Sequence, residues 1–324
     1  MKIFGAGLAG LLAGCAFPEA ELFEAGDARQ SKHKAVLRFR TPSVGEAVGI
    51  EFRKVRVNKG LWFDGRSVLP TIQTANWYSL KVAGRLFDRS IWNLDPVDRW
   101  IAPEDLLPQL AARCASRIHW STPVTDSDIE LHRVRGPIIS TLPMPIMLAL
   151  VGSADTPSPR PTFDHLPITV QRWRIPDADV FQTVYFPNPD VSLYRASITG
   201  NLLIAESVGA ATPSYHEQMF AAFGLVEDNG EPLGSAKQSY GKIAPINEHW
   251  RKAFIFELSQ RHSIFSLGRF GTWRNILLDD VLHDIGIVRR LIGQGSYDRA
   301  KYNAGVRASK GEQAYNETYR GEQG

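Results

Sequence analysis

Two cysteines in 324 residues, Cys15 and Cys114, are too few and too far apart in the chain for a disulfide framework, and neither sits at a metal-ligand spacing. Both read as small core residues in a reducing setting, which points to a cytoplasmic protein. The chain carries no His-Glu-x-x-His, no Cys-x-x-Cys and no Gly-x-Ser-x-Gly. Zinc hydrolysis and serine hydrolysis therefore have no footing, and no metal site is expected. The eight histidines are scattered. No apolar run approaches the roughly 20 residues that span a bilayer, so no membrane association is expected. The N-terminal apolar stretch lacks the basic flank of a signal peptide beyond Lys2, and is expected to belong to the fold.

What is present is an ordinary soluble composition, 44% hydrophobic and 22% charged, with length enough for two substructures. The formal charge is only +3. Basic residues gather at Arg53, Lys54, Arg56 and Lys59 and again at His132, Arg133 and Arg135. That admits an anionic substrate, nucleic acid included, and equally a solvated surface.

The informative segment is the first. Lys2-Ile3-Phe4 is a short apolar strand running into Gly5-Ala6-Gly7-Leu8-Ala9-Gly10, and small residues suited to a helix follow. In such a Gly-x-Gly-x-x-Gly, Gly5 allows a sharp turn, Gly7 lets backbone approach a pyrophosphate, and Gly10 lets the helix pack against the strand. The anion then rests on the helix N-terminus. Ala20–Phe23 reads as a second strand closed by Glu24, about 20 residues on, where an acid binds a ribose hydroxyl. Glu24 narrows the dinucleotide to FAD or NAD, since a 2′-phosphate would be repelled.

Farther along, residues 36–40 alternate like a strand near the end of the cofactor-binding unit. Residues 61–100, rich in aromatics and carrying Asn76–Lys81, read as a helical excursion. A helix is expected from Ile101 through Arg113, and strands at Ile118–Trp120, Pro123–Val124 and Gly136–Pro143. Ser153–Pro161 is the linker candidate. Beyond it, Ile168–Ile175, Val180–Phe186, Val191–Ile198 and Leu202–Ser207 read as an antiparallel meander, able to wall a substrate cavity. A helix at Tyr215–Phe223, a strand at Ser263–Leu267, a turn at Gly268–Trp273 and a helix carrying Leu277, Val281, Ile285 and Val288 complete the ordered part.

Three of these segments, Gly5–Gly10 with Glu24, Ile138–Pro143, and Gly268–Trp273 followed by Asp279, resemble the FAD-binding segments of the amine-oxidase-like flavoproteins. That superfamily includes monoamine oxidases, protoporphyrinogen oxidases and UDP-galactopyranose mutases, the last with the most similar C-terminal turn. The resemblance implies an α/β fold: a Rossmann-like FAD-binding domain from 1–60, 101–155 and 255–295, and a helical excursion at 61–100. An inserted antiparallel-sheet substrate domain at 156–254 and a loosely ordered polar tail at 296–324 complete it. It implies FAD held by Gly5, Gly7, Leu8, Ala9, Gly10 and Glu24 at one end and by Gly268, Arg269, Gly271, Thr272 and Trp273 at the other. Arg38, Val124 and Thr141 complete the candidate cofactor contacts. Neither cysteine is placed for covalent attachment, so non-covalent FAD is expected.

The candidate catalytic residues are Lys242, Arg195 and Tyr78. Lys242 follows a glycine before the chain returns to the FAD unit, and similar enzymes place a lysine near the flavin through water. Arg195, in the middle of a strand, is suited to a carboxylate or phosphate if it faces a cavity. Tyr78, with Lys81, would border the flavin from the excursion. Two function classes remain open. One is oxidation of a C–N bond in a small molecule or modified nucleobase, such as an amino-acid-modified thymine in DNA, giving an imine that water hydrolyses. The other is a non-redox sugar mutase, against which a single visible arginine weighs.

Overall fold

The computed structural model describes residues 1–27, 37–88, 90–132, 136–152, 158–209, 215–226 and 229–294. The expected tail at 296–324, residues 153–157 of the linker, and Arg133 and Arg135 lie outside the described residues.

One sheet is wholly parallel, in the order Ile264–Ser266, Ile138–Ser140, Lys2–Phe4, Glu21–Phe23, Ile118–His119. Numbered along the chain, that order is 3-2-1-4-5 read from the Ile118 edge, with the reversal beside Lys2–Phe4. Its alternation follows strand geometry: Ile3, Leu22 and Ile139 enter one core, and Phe4, Ile138 and Ile264 enter the other. The helix Leu8–Ala16, the helix Leu106–Cys114 and the helix at residues 278–294 cover the first face. Met144–Leu150 and Glu248–His262 cover the second. A sheet buried on both faces explains why its strands are short apolar runs.

The second sheet has nine strands. Its order is Glu231–Ile243, His165–Arg174, Leu202–Val208, Leu193–Gly200, Val180–Tyr185, Arg53–Phe63, Val97–Ile101, Arg38–Phe39, with Arg66–Ser67 paired to Arg53–Phe63. The helix Ile72–Ala83 packs Ala75, Tyr78 and Val82 on one face, and Tyr215–Ala221 packs Tyr215, Met219 and Phe220 on the other. Among the described residues no helix is long and apolar enough to cross a membrane.

Three expectations change. The four strands after the linker are not a simple meander. Leu202–Val208 is inserted between Leu193–Gly200 and His165–Arg174, a Greek-key order, and Val180–Tyr185 pairs in parallel with Arg53–Phe63. The reason is visible in burial: Leu202–Ser207 is buried throughout and takes a central place. Second, the described residues of 61–100 hold one α-helix, Ile72–Ala83, and a short 3-10 turn at Ser90–Trp92, between strands ending at Phe63 and beginning at Val97. Those strands expose charged faces, which masked them in an aromatic-rich segment. Third, Ile101 ends a strand, and the expected helix begins at Leu106 after Pro103.

Candidate functional site

The register Phe4↔Phe23, Phe4↔Ser140, Ser140↔Ser266 and Phe23↔His119 brings five strand ends level at one edge. After four of those ends the chain carries expected cofactor residues: Gly5, Glu24, Thr141 and Gly268. Val124 lies a few residues beyond the fifth and is half-buried. In an open α/β sheet, the carboxyl edge beside the order reversal is where a ligand crevice forms.

The glycine loop is shaped by close approaches. A Cβ on Gly5, at φ +92°, would stand 2.4 Å from Thr141 Oγ1, and one on Gly10 would stand 1.9 Å from the Gly5 carbonyl oxygen. Gly7 is different: it is exposed, and a Cβ there meets nothing within 4 Å. The first turn of Leu8–Ala16 starts at Gly7, so its free N–H groups and partial positive charge border that open space. Glu24 ties the loop down, accepting from Ala6 N at 2.8 Å and Gly26 N at 2.9 Å. A carboxylate has capacity beyond two acceptances, so a hydroxyl can still be bound.

The other two segments close on this loop. Thr141 donates through N and Oγ1 to the Phe4 carbonyl, each at 2.9 Å. A Cβ on Gly268 (φ +79°) would stand 2.8 Å from the Ala9 Cβ, and one on Gly271 2.9 Å from the Ser140 oxygen. Gly268–Gly271 is a short helical turn, and the long helix resumes only at 278. Thr272 folds its hydroxyl back to the Gly268 carbonyl at 2.7 Å, and buried Trp273 donates to the Ala244 carbonyl at 2.9 Å. Asp279 accepts from Arg40 N, Thr41 N and the Thr41 hydroxyl.

Arg38 lies on the larger sheet, within electrostatic reach of Arg195, Tyr185 and Glu206. It is embedded there, donating to Thr183, the Gln182 and Ile198 carbonyls and Thr199, and burial lowers its pKa to about 10. Lys81 donates to the Phe186 and Leu193 carbonyls at 2.8 and 2.9 Å, and burial lowers it to about 7. The basic group at Arg53–Lys59 is partly paired: Arg53 with Asp179, and Lys54 and Arg56 with one shared Asp98, while Lys59 donates to the Asn93 carbonyl.

The candidate catalytic residues do come together, around two side chains that sequence reasoning missed. Tyr194 is fully buried and donates to Glu206 Oε1 at 3.1 Å, while Arg195 donates to Oε2 of the same carboxylate. Lys242 Nζ lies 4.2 Å over the Tyr194 ring. Tyr78, edge-on to Tyr185 at 5.5 Å, interacts with both Tyr194 and Arg195. Arg269 feels Tyr194, Arg195 and Glu206, and reaches the Gly241 carbonyl at 3.2 Å. The cluster is thereby joined to the Gly268 turn. Irregular pairing sets these side chains: one register shift lies between Leu193 and Arg195, another between Gln238 and Lys242. Bulges re-aim side chains and concentrate near active sites. The available signal for Glu206 was a lone acid inside the apolar run Leu202–Val208.

Electrostatically the cluster is cationic. Burial pushes the Glu206 carboxyl up, but Arg195, Lys242 and the Tyr194 hydroxyl outweigh it and hold it below the ordinary glutamate range. Burial raises the Tyr194 phenol, and nearby Glu206 raises it further. Burial also works against the Arg195 charge, yet Glu206 and Tyr194 keep it firmly protonated. About a third of the Arg195 side chain, 34%, stays open to solvent, against 4% for Glu206. Arg269 is weakened as a cation by burial, and its Nε has no hydrogen-bond partner. A shallow cavity of about 260 Å³ lined by Met1, Lys2, Glu21 and Pro137 lies at the opposite, amino end of the parallel strands, away from this chemistry.

No protein-family model and no curated protein matches the sequence. Among solved structures the chain is similar to a CLA-producing fatty acid isomerase from P. acnes, at 13% identity and TM-score 0.54, over 89% of this chain and 97% of that one. It is also similar to an oxidoreductase from Methanosarcina mazei, at 12% identity and TM-score 0.52, over 90% of this chain and 100% of that one. A protein from Pyrococcus furiosus matches at 12% identity and TM-score 0.51, over 90% and 97%. These likenesses are likenesses of fold, and they span both sheets.

Proposed function

We propose that the chain is an enzyme that binds FAD non-covalently and oxidises a C–N bond of an amino-bearing substrate, the imine then being hydrolysed. The observation that carries the cofactor is the meeting of Gly5–Gly10, Glu24, Thr141 and Gly268–Thr272 at one sheet edge, with open space over Gly7. The N-terminus of Leu8–Ala16 would hold the pyrophosphate, Glu24 the adenosine ribose, and the Gly268–Thr272 turn the ribityl and ring end. When bound, the flavin supplies hydride acceptance. Cys15 and Cys114 pack between helices, which supports a non-covalent mode.

The chain's own residues orient the substrate. Arg195, fixed through Nε by Glu206 and partly open, holds a carboxylate of an amino-acid portion. Lys242 Nζ, steadied over Tyr194, moves a proton to or from the water that hydrolyses the imine. Tyr78 and Tyr185 wall the reacting group from bulk water. An amino-acid-modified thymine is one candidate substrate of this class, a free amino acid another.

A second reading, a mutase acting on a nucleotide sugar without net redox change, gains from one observation. Arg195 does not stand alone, because Lys242 and Arg269 gather at the same carboxylate and phenol. A diphosphate needs more than one cation.

The test is spectroscopic. The purified protein is expected to carry or take up FAD, seen as visible flavin absorbance, and to bleach anaerobically when given an amine, an amino acid or amino-acid-modified DNA. Turnover of a UDP-sugar seen only after prior dithionite reduction would replace oxidation by the mutase reading. A colourless protein that takes up no FAD would remove both.

A further inference from the structure

Reactive chemistry also gathers where the helices Leu8–Ala16 and Leu106–Cys114 pack together. Cys114 is fully buried at the end of its helix, Cys15 is half-buried on the other, and their thiols lie side by side. Gly14 permits the approach, since a Cβ there would stand 2.9 Å from the Cys114 sulfur. Arg117 is locked beside them. It donates to the Phe17, Ala20 and Gly14 carbonyls at 3.2, 2.7 and 3.0 Å, and its Nη2 lies 3.6 Å from Cys114 Sγ. An inert core thiol gains nothing from a guanidinium, whereas a thiolate is stabilised by one. Cys114 Sγ also lies 3.9 Å from the Leu11 carbonyl, to which the protonated thiol donates. Against burial, the contact with Cys15 and Arg117 lowers the Cys114 thiol, and the contact with Cys114 and burial raise that of Cys15.

We propose that Cys15 and Cys114 form a peroxide-reactive dithiol, a site of reversible disulfide formation that staples the first helix to the helix ending at Cys114. The oxidant is hydrogen peroxide or an organic hydroperoxide. The Cys114 thiolate, buried beside the half-buried Cys15, attacks a peroxide oxygen, and the O–O bond breaks. The leaving oxygen takes a proton and departs as water, or as the alcohol from an organic hydroperoxide, leaving Cys114 as a sulfenic acid. The Cys15 sulfur, losing its proton, then attacks the Cys114 sulfur; the S–O bond breaks and water leaves. With hydrogen peroxide the net change is two thiols and one peroxide to one disulfide and two waters. Sulfur is oxidised and the peroxide oxygens are reduced.

The experiment treats the folded, full-length protein with hydrogen peroxide, then measures intact mass, free thiols and peptide linkage. Both thiols are expected to disappear together, the mass to fall by two hydrogen atoms, and a Cys15 peptide to be found linked to a Cys114 peptide, all reversed by dithiothreitol. Cys15→Ser is expected to stop at a sulfenic acid on Cys114 that dimedone traps. Arg117→Gln is expected to slow oxidation at neutral pH by about tenfold, with Arg117→Lys recovering part of it. The linked peptide is read on the unsubstituted protein, so a variant that fails to fold does not blunt the test. Thiols that survive peroxide concentrations able to oxidise free cysteine, or that oxidise separately with no linked peptide, would overturn the proposal.

Discussion

A side chain added at Gly7 would enter open space, whereas one added at Gly10 would enter the Gly5 carbonyl. The two glycines therefore separate binding from folding. Gly7→Val is expected to leave the melting temperature within a degree or two while abolishing FAD retention, because only the backbone's access to the pyrophosphate is blocked. Stoichiometric flavin in that variant would refute the phosphate site. Gly10→Ala is expected to destabilise by about 1–3 kcal/mol as the helix is pushed from the strand, measured by urea denaturation. Glu206 offers a third test at this scale. Glu206→Gln keeps the shape but leaves Arg195 facing a neutral amide. Losing one partner of a buried pair is severe, but Arg195 is a third open, which reduces the expected cost to about 2 kcal/mol. If the pair fixes the substrate's carboxylate, KM rises more than kcat falls. A variant with unchanged stability and KM would return Glu206 to a passive place in the sheet.

Among the elements, the helix Ile72–Ala83 is held to the larger sheet by Lys81, which bonds the Phe186 and Leu193 carbonyls beside the irregular pairing at Arg195. The Lys81 amine is at about 7 in the fold, below its ordinary 10.5. Between those values the unfolded chain binds the proton and the folded chain does not. The Lys81 contribution to stability therefore rises with pH across that window and is flat below it. Lys81→Met should remove the rise, so wild type gains stability relative to the variant from neutral pH to about pH 10. A gap independent of pH would show that the amine titrates normally. The same region shows what was legible in the sequence. Lys2–Glu24 could be read because each glycine there answers to a local demand: a turn, an anion or a close contact. Residues 61–100 could not, because Val97–Ile101 becomes a strand only through Arg53–Val57, far away in the chain, and Arg66–Ser67 is a two-residue hairpin arm too short to show an alternation. Tyr194 and Glu206 were missed for a related reason. A buried ion pair across neighbouring strands depends on register, and a bulge shifts that register by a residue.

The whole molecule is two sheets meeting at one site, with the glycine-rich loop on the parallel sheet and the cationic cluster on the larger one. Their junction includes Arg269 to the Gly241 carbonyl, Trp273 to the Ala244 carbonyl, Tyr240 against Phe270 and Trp273, and Asp279 to the backbone of Arg40 and Thr41. A cofactor that touches Gly5–Gly10 and Gly268–Thr272 together bridges segments from both ends of the described chain, and binds only when both are folded. Anything that binds the folded state alone stabilises it by RT ln(1 + [L]/Kd), about 2.7 kcal/mol at a hundredfold excess over Kd. For a chain of this size that corresponds to a rise in melting temperature on the order of 5 °C. FAD added to apoprotein should produce that rise as a single cooperative transition, and Gly7→Val should abolish it without changing the apoprotein's own melting temperature. AMP alone should give a smaller shift, because it engages Glu24 and the first helix but not the Gly268 turn. Equal shifts from AMP and FAD would mean that the C-terminal turn makes no contact with the cofactor, and would detach the flavin end of the site from Gly268–Thr272.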